Sequence, residues 1–461
     1  MIKFGTDGWR AVLDQDFNDE NVKKATLAIG KYVCDTYGLD KKIIIGYDPR
    51  RKADYYAKFC AEILAERGFE VLLSNRIIPT PILAFNAKHL NACAIMFTAS
   101  HNPADYLGMK FIPDYAGPAT SDITDKIMAN LGLDPQVHPN GSYKEVDFMP
   151  AYYEHLKTIV NFEVLKTIKT NIIFDGLYSA SIGYFDKILN DYNISFKSLH
   201  MKHDVNFGGG MPDPKVKYLN DLIKMVKDSP NSIGLANDGD ADRFGVINED
   251  GCYVSPDIII AILLKYLLSK GYKGTVVKTV GCSILIDNVA KKLGVGVIET
   301  AVGFKHVGEA MRNNKVIIGG EESGGLSILG HIPEKDGIIA NLLILEVMAK
   351  TGKSLVELQK EILDLGGRYY TDRVDLKKSN PEEIKQLINI FKNIDKIGEF
   401  EIIQKDLKDG VKLLLDENTK ILIRPSGTEP LLRIYFEALT KERIYSLESA
   451  VEQITESAGQ N

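Results

Sequence analysis

Short apolar runs and helical stretches alternate along most of this 461-residue chain, and the alternation restarts twice. The strands predicted from the apolar runs are residues 42–47, 69–73, 92–98, 171–175, 233–236, 244–247, 273–279, 296–299 and 316–319. The helices predicted between them are residues 54–67, 180–189 and 284–293. Strand–helix–strand order favours parallel strands joined by right-handed crossovers. We therefore expect three similar α/β units with mixed sheets.

The C-terminal part of the chain has a different order and is predicted to form a separate α+β domain. Its predicted elements are strands 368–374, 410–415, 420–424 and 431–438 and helices 381–394 and 441–457. A chain of this length exceeds one typical hydrophobic core, so several domains are expected. We place four domains at residues 1–145, 146–252, 253–366 and 367–461. The links are expected near residues 141–148 and 251–257.

An acidic triplet, Asp238, Asp240 and Asp242, lies between two apolar runs of the second unit. Carboxylates this close repel one another unless a cation lies among them. On a straight strand the first and third would be roughly 13 Å apart, so the segment must curl for them to meet. The small residues Gly239 and Ala241 favour such a curl. Oxygen ligands in a short loop favour Mg²⁺.

Two alternatives to this magnesium loop are a calcium EF-hand and a plain solvated acidic turn. The acidic spacing resembles the EF-hand, and Glu249 falls at its twelfth position. The sixth position requires glycine for a sharp turn, yet Arg243 stands there. The flanking runs are also strand-like, which argues against a helix–loop–helix site.

Three further polar loops follow predicted strands, where ligands of α/β sheets commonly lie. Ser100 and His101 stand in the first, after residues 92–98, and Glu321 and Ser323 stand in the second, after residues 316–319. The third, residues 424–430, combines Arg424 with two hydroxyl residues and a glycine. Arginine, hydroxyl and backbone donors together suit a phosphate. Each loop taken alone is also compatible with an ordinary turn.

Composition excludes several classes of protein. The formal net charge is -6, which gives no general basic surface for nucleic acid. Five cysteines are scattered without a CxxC pair, so neither a zinc site nor a disulfide framework is indicated. No apolar stretch reaches membrane-spanning length, and residues 1–7 carry no signal-peptide core. We expect a cytoplasmic protein that binds neither nucleic acid nor membrane.

Taken together, these motifs resemble the α-phosphohexomutase family. The matching segments are residues 4–10 (FGTDGWR), 98–103 (TASHNP), 238–243 (DGDADR), 320–325 (GEESGG) and 424–430 (RPSGTEP). They stand in the family's order and cover the whole chain. The resemblance implies four domains around a central cleft, with one loop from each domain facing that cleft.

The resemblance also implies roles for individual residues. Ser100 matches the family's phosphoserine, whose phosphate would complete a Mg²⁺ site with Asp238, Asp240 and Asp242. The implied catalytic residues are Ser100, His101, Lys110, Arg10 and Arg243. The implied substrate-binding residues are Lys305, Glu321, Ser323, His331, Arg424, Ser426, Gly427 and Thr428. Lys110 would either accept the sugar hydroxyl proton or bind phosphate, and His101 could share that proton.

The activity implied is transfer of phosphate between the 1- and 6-positions of a hexose through a bisphosphorylated sugar. The Glu321-Glu322-Ser323 loop and the segment 331–337 resemble phosphoglucomutases, so glucose is the expected sugar. A phosphomannomutase or dual-specificity enzyme is the close alternative, followed by a phosphoglucosamine mutase. A non-catalytic sugar-phosphate sensor is the alternative from another class. Hexose 1,6-bisphosphate is the expected activator, and a monomer or weak homodimer the expected assembly.

Overall fold

The computed structural model describes residues 2–5, 7–134, 140–378, 380–425 and 431–457. Its first unit is a six-stranded mixed sheet with strand order β1-β5-β4-β2-β3-β6. The elements are β1 Trp9–Val12, α1 Asp19–Tyr37, β2 Ile43–Tyr47, α2 Ala53–Glu66, β3 Glu70–Ser74, α3 Thr80–His89, β4 Cys93–Phe97, β5 Tyr106–Ile112, α4 Ser121–Ala129 and β6 Ser142–Val146. The central strands β4, β2, β3 and β6 run parallel, and β5 and β1 are antiparallel to their neighbours.

The second and third units are four-stranded mixed sheets with orders β10-β9-β7-β8 and β12-β11-β13-β14. The second contains α5 Met149–Ile159, α6 Phe162–Leu165, β7 Asn171–Asp175, α7 Phe185–Asp191, β8 Phe196–Leu199, α8 Asn220–Lys227, β9 Ser232–Asn237 and β10 Phe244–Ile247. The third contains α9 Pro256–Ser269, β11 Thr275–Thr279, α10 Ile284–Lys292, β12 Val297–Thr300, α11 Phe304–Asn313, β13 Val316–Gly320, β14 Leu326–Ile328, α12 Gly337–Thr351 and α13 Leu355–Gly366. The predicted α/β class with mixed sheets is confirmed.

The C-terminal unit is a five-stranded antiparallel sheet with strand order β15-β21-β20-β19-β18. Its elements are β15 Tyr370–Lys377, α14 Pro381–Asn393, β16 Lys396–Ile397, β17 Phe400–Glu401, β18 Gln404–Asp406, β19 Val411–Asp416, β20 Thr419–Pro425, β21 Leu431–Ala438 and α15 Lys441–Ser457. This unit has a hydrophobic core of its own. In contrast, one continuous core joins residues of the first three units. Among the described residues, no helix combines the length and apolar character needed to cross a membrane.

Two local expectations differ from the structure. Residues 141–148, expected to be a link, contain β6, which pairs in parallel with β3 and extends the first sheet. The helix expected from residue 180 begins only at Phe185, because turns occupy the preceding residues and Gly183 has a φ of +82°. A left-handed residue at this point is incompatible with a continuous right-handed helix.

A single carboxylate, Asp336, connects the second and third units at the start of α12. Its Oδ1 accepts hydrogen bonds from the backbone N–H groups of Ile338 and Ile339 at 2.9 and 3.0 Å. Its Oδ2 accepts the hydroxyl of Tyr152 at 2.7 Å and lies 3.0 Å from Nε2 of His331. Asp336 is fully buried, so its loss would leave several buried polar groups without a partner.

We therefore expect Asp336→Ala to lower the free energy of unfolding by about 3 kcal/mol, because the substitution removes the N-cap of α12 and leaves buried polar groups without a hydrogen-bond partner. The matched control is Ser354→Ala, which removes an exposed capping box at α13 and should cost about 1 kcal/mol. Urea denaturation followed by circular dichroism measures both. Equal losses in the two variants would contradict the central role of Asp336.

Candidate active site

The acidic triplet lies in the connection between the antiparallel strands β9 and β10. Asp238, Asp240 and Asp242 are buried, and one ligand atom from each lies within 4.8 Å of the others. Ala241 adopts a φ of +60°, which produces the curl that brings alternate side chains together. The triplet is therefore a compact cluster of carboxylates rather than a solvated turn.

Gly239 is needed for close packing between two loops, whereas the sequence predicted that it would bend the chain. A Cβ atom at this position would lie 2.4 Å from the backbone oxygen of Ser100. Glycine is therefore required for the close approach of the triplet loop to the loop after β4. This contact brings residues of the first and second units together.

Ser100 lies in the loop that follows β4, as the sequence predicted. Its Oγ donates a 2.7 Å hydrogen bond to Oδ2 of Asp238. Its backbone adopts the left-handed region with a φ of +50°, which is uncommon for a residue other than glycine and is typical of functional loops. The N–H of Ser100 is bound by the hydroxyl of Thr98 at 2.8 Å. The Ser100 hydroxyl is thus held against the acidic cluster.

Arg50 supports the Ser100 loop, and sequence reasoning did not identify it. Its guanidinium donates to four backbone carbonyls of that loop: Ser100 at 2.7 Å, Asn102 at 2.6 Å, Pro103 at 2.7 Å and Tyr106 at 3.0 Å. The side chain is fully buried and also pairs with Asp48 at 3.3 Å. No sequence motif indicates this role, because all four hydrogen-bond acceptors are backbone atoms.

Two buried lysines lie beside the triplet. Nζ of Lys110 is 2.9 Å from Asp240 and 3.1 Å from Asp242. Nζ of Lys335 is 3.3 Å from Asp242 and 3.5 Å from Asp7. Burial acts to lower the pKa of each lysine, but the neighbouring carboxylates outweigh it and raise each pKa above its ordinary value. Both side chains are therefore cations at neutral pH.

Lys335 and Thr80 are further residues that the sequence analysis missed at this site. Lys335 belongs to segment 331–337, whose resemblance to phosphoglucomutases was the reason for expecting glucose. That resemblance could therefore have pointed to Lys335 as a site residue. Thr80 donates its hydroxyl to Oδ2 of Asp240 at 2.6 Å, and its N–H binds the carbonyl of Asp240. Thr80 begins α3 in the first unit, and no local pattern links it to the triplet.

The pKa values of Asp238 and Asp240 are shifted in opposite directions. Burial and the charges of Asp242 and Asp240 raise the pKa of Asp238 well above its usual value. For Asp240 burial acts in the same direction, but Lys110 and the Thr80 hydrogen bond outweigh it and lower the pKa. Oδ1 of Asp240 and Oδ1 of Asp242 are buried without a hydrogen-bond partner in the described part of the chain. Buried carboxylate oxygens left free in this way fit a divalent cation that takes oxygen ligands.

His101 lies beside the Ser100 hydroxyl, and Arg10 contacts another residue of the same loop. Nδ1 of His101 lies 3.3 Å from Oγ of Ser100. Burial, together with the charges of Arg243 and Arg10, lowers the pKa of His101 to about 2. The imidazole is therefore neutral. Arg10 donates to Oδ1 of Asn102 at 3.1 Å and lies 3.5 Å from Asp7.

Arg243 connects the triplet to the loop after β13. Its N–H donates to Oδ1 of Asp238 at 2.9 Å, and its backbone forms an antiparallel bridge with Gly325. Glu321, in the same loop, has Oε1 bound by the N–H of Gly303 at 3.0 Å, and Ser323 donates to Oε2 at 3.4 Å. Burial raises the pKa of Glu321 to about 7. The triplet loop and the predicted sugar loop are therefore in direct contact through their backbones.

Lys305 contacts the first unit, whereas Arg424 belongs to the C-terminal unit. Nζ of Lys305 lies 3.0 Å from the hydroxyl of Ser121, and Arg424 pairs with Asp409 at 2.8 Å. Asp409 also accepts the N–H of Val302 at 3.0 Å, so it connects the third and fourth units. The predicted phosphate-site residues Ser426, Gly427 and Thr428 lie outside the described residues.

His331 is not placed where a substrate could reach it, contrary to the expectation. Its side chain is fully buried, with Nε2 3.0 Å from Asp336 and Nδ1 3.0 Å from Nε2 of His155. Both ring nitrogens are thus engaged by the protein. The imidazole supports the start of α12 because it completes the Asp336 network, and we do not retain it as a substrate ligand.

Models of phosphoglucomutase/phosphomannomutase domains match almost all of the chain. The α/β/α domain I model matches residues 1–134, domain II residues 150–251 and domain III residues 255–365. The C-terminal domain model matches residues 381–454. The chain belongs to the phosphoglucomutase/phosphomannomutase family. It is an enzyme of the phosphohexomutase isomerase type.

Similar proteins carry more than one sugar specificity in their names. A phosphoglucomutase/phosphomannomutase of Thermococcus kodakarensis is 28% identical, and the match covers 95% of each chain. A phosphoglucosamine mutase of Methanocaldococcus jannaschii is 30% identical over 98% of each chain. A Thermus thermophilus crystal structure assigned as a phosphomannomutase superimposes with a TM-score of 0.87 at 31% identity, covering 99% of each chain. Family membership and the triplet together indicate a divalent metal site.

The raised pKa of Asp238 predicts that a divalent cation displaces a proton when it binds. The protonated carboxyl must ionise to become a ligand, so up to about one proton is released per ion. Since burial and the neighbouring carboxylates raise the folded pKa, the protonated fraction of Asp238, and with it the proton release, should grow as the pH falls. Calorimetric titration of MgCl₂ in buffers of different ionisation enthalpy measures it.

Asp238→Asn should remove this buffer dependence, whereas the exposed Asp122→Asn on α4 should retain it. Heats that do not vary with buffer would contradict a protonated Asp238 in the metal-free protein.

Proposed function

We propose that this phosphohexomutase transfers phosphate between the 1- and 6-hydroxyls of glucose, with Ser100 as the phosphate carrier. The observation that carries the proposal is the 2.7 Å contact between Oγ of Ser100 and the buried triplet. A phosphoserine adds about 1.5 to 2 negative charges, which would be unfavourable beside three carboxylates without compensation. Lys110, Lys335 and Arg243 lie around the triplet, and their positive charges are suited to supply part of this compensation.

Asp238, Asp240 and Asp242 are the residues that would hold Mg²⁺. They offer carboxylate oxygens from one short loop, which is the ligand chemistry this ion prefers. Bound there, Mg²⁺ would neutralise charge and polarise the phosphoryl group. Arg243, Lys110 and Lys335 would then face the transferred phosphate, and their charges would stabilise it without a change of protonation.

The transfer itself exchanges one phosphorus–oxygen bond for another. A sugar hydroxyl attacks the phosphorus of phosphorylated Ser100, the bond to Oγ breaks, and a sugar bisphosphate forms. In the second half the bisphosphate returns its other phosphate to Oγ. The contacts of Lys110 favour phosphate binding over proton acceptance, because its pKa is raised. Over the whole transfer the proton of the sugar hydroxyl ends on Oγ of Ser100, which leaves as the hydroxyl. The neutral His101 lies within reach of Oγ, and we propose that it orients this proton without holding it, because its pKa is lowered to about 2.

Substrate orientation is assigned to the loops of the third and fourth units. Glu321 and Ser323 would accept and donate hydrogen bonds to sugar hydroxyls. Arg424 with Ser426, Gly427 and Thr428 would hold the phosphate that does not react, assisted by Lys305 and Arg10. Because both ends of the sugar must occupy this phosphate site in turn, hexose 1,6-bisphosphate is the proposed intermediate and activator.

The choice of glucose is supported by the sugar loop. A Cβ atom at Gly325 would lie 2.3 Å from Cδ of Lys335, so this loop has no room for a larger side chain there. Mannose- and glucosamine-handling members of the family commonly carry a histidine at that place, and such a side chain would displace Lys335 from its present position. A dual glucose and mannose specificity is the second candidate, favoured by the names of the Thermococcus and Thermus proteins.

Turnover of glucose, mannose and glucosamine 1-phosphates with Mg²⁺ and a trace of hexose 1,6-bisphosphate tests the substrate. We expect kcat/KM to be highest for glucose 1-phosphate, with mannose 1-phosphate next. A preference for glucosamine 1-phosphate would overturn the sugar assignment and leave the mutase activity intact. Absence of turnover with all three esters would favour a sugar-phosphate sensor.

The phosphate carrier is tested by intact-protein mass after incubation with hexose 1,6-bisphosphate. We expect one phosphate on the wild type, one on Ser323→Ala and none on Ser100→Ala. Turnover of Ser100→Ala should fall at least about a thousandfold, because the covalent route is lost. A phosphate retained by Ser100→Ala would place the carrier elsewhere.

A further inference from the structure

A second crevice lies in the first unit, at the carboxyl ends of β2 and β3. These strands are parallel neighbours. The helix after β2, α2, packs into the core that contains α1 and α4, whereas the helix after β3, α3, packs into the core shared with the second unit. The two connections therefore leave the sheet in opposite directions. In open α/β sheets, ligands bind at such a switch point.

A cavity of about 610 Å³ occupies this crevice. Its volume lies within the range of small-molecule sites. The loop after β2 contributes Arg51 and Lys52, the loop after β3 contributes Arg76 and Ile77, and Ile182, Tyr184 and Val205 of the second unit close the opposite side. Apolar surface dominates the walls, and the cations lie around it. This combination suits an organic molecule that carries phosphate groups.

The ion pairs of the cavity's cations do not engage all of their donor atoms. Arg51 and Lys52 share one carboxylate, Asp14, at 2.8 and 2.6 Å. Arg76 reaches Asp147 through Nη2 at 3.2 Å, and its Nε is buried with no hydrogen-bond partner in the described part of the chain.

The first turn of α2 also faces this cavity. Lys52 is its N-cap residue and supplies no side-chain cap, and Asp54 in the first turn offsets the partial positive charge at the start of this 14-residue helix. Asp54 is the carboxylate that lines the cavity. It is placed to accept a hydrogen bond from a hydroxyl group of the occupant.

The cavity is separate from the candidate active site but adjoins its support. Arg50 is one of the residues that line the cavity, and its guanidinium binds the carbonyls of Ser100 and Asn102. The guanidinium also lies 4.9 Å from the ring of Phe207 in the second unit. An occupant of the cavity would therefore contact the residue that fixes Ser100.

We propose that this cavity binds a small phosphorylated molecule with an aromatic or apolar body, of the nucleotide class. Arg51, Lys52 and Arg76 bind its phosphate groups. The body packs on Ile182 and Tyr184, whose ring already stacks with Arg76 at 4.5 Å. The proposal concerns binding and does not depend on the mutase function.

The test is calorimetric titration of ATP into the full chain in the presence of EDTA. Tripolyphosphate, which has the phosphate chain of ATP but no nucleoside, is titrated in the same way. The double variant Arg51→Gln/Arg76→Gln removes two phosphate ligands, and Val205→Trp fills the cavity without changing charge. We expect each to weaken ATP binding by about tenfold or more, equivalent to about 1.4 kcal/mol. Tripolyphosphate should bind the wild type more weakly than ATP, because it lacks the body.

Two control variants test where on the protein ATP binds. Lys24→Gln/Lys31→Gln removes two exposed, ion-paired cations of α1 and should bind ATP like the wild type. Arg424→Gln alters the proposed phosphate site of the cleft and should also leave ATP affinity unchanged. The proposal is overturned if both cavity variants bind ATP within about twofold of wild type, or if Arg424→Gln alone abolishes binding.

Discussion

Burial of three carboxylates in one loop is the constraint on which the rest of this structure depends. Asp238, Asp240 and Asp242 can remain buried only if cations and donors surround them. Those groups come from different parts of the chain: Thr80 and Lys110 from the first unit and Lys335 from the third. The electrostatic requirement of one loop therefore fixes the mutual position of three units. Removal of one cation would leave an uncompensated buried charge, which costs several kcal/mol.

The hydrophobic cores group the first three units together and leave the fourth unit apart. The first three units share a continuous apolar core, so the Ser100 loop and the triplet are held on one framework. The fourth unit has its own core and meets the third through polar contacts, among them Lys412 with Glu299 at 2.7 Å and Lys420 with the carbonyl of Cys282 at 2.6 Å. The fourth unit is therefore folded separately from the framework that holds Ser100 and the triplet.

Sequence reasoning identified the local parts of the site and missed those that depend on tertiary contacts. The triplet and Ser100 were predictable because strands flank them and their chemistry is carried by adjacent residues. Arg50 was not predictable, since its partners are backbone carbonyls brought together by the loop. The burial of His331 was also hidden, because His155 and Asp336, which engage it, become neighbours only when the second and third units pack. Strand β6 was missed since its exposed, polar residues resemble a link until β3 pairs with them.

Lys335 shows how packing couples the metal loop to the sugar loop. Its ammonium lies 3.3 Å from Asp242, while its stem fills the space that a side chain at residue 325 would need. Gly325 in turn pairs with Arg243, so the backbone of the sugar loop is held against the triplet loop. A larger residue at 325 would displace the Lys335 cation and leave Asp242 less compensated. The residue at position 325 is therefore constrained partly by the charge balance of the buried carboxylates, because any side chain there competes with Lys335 for space.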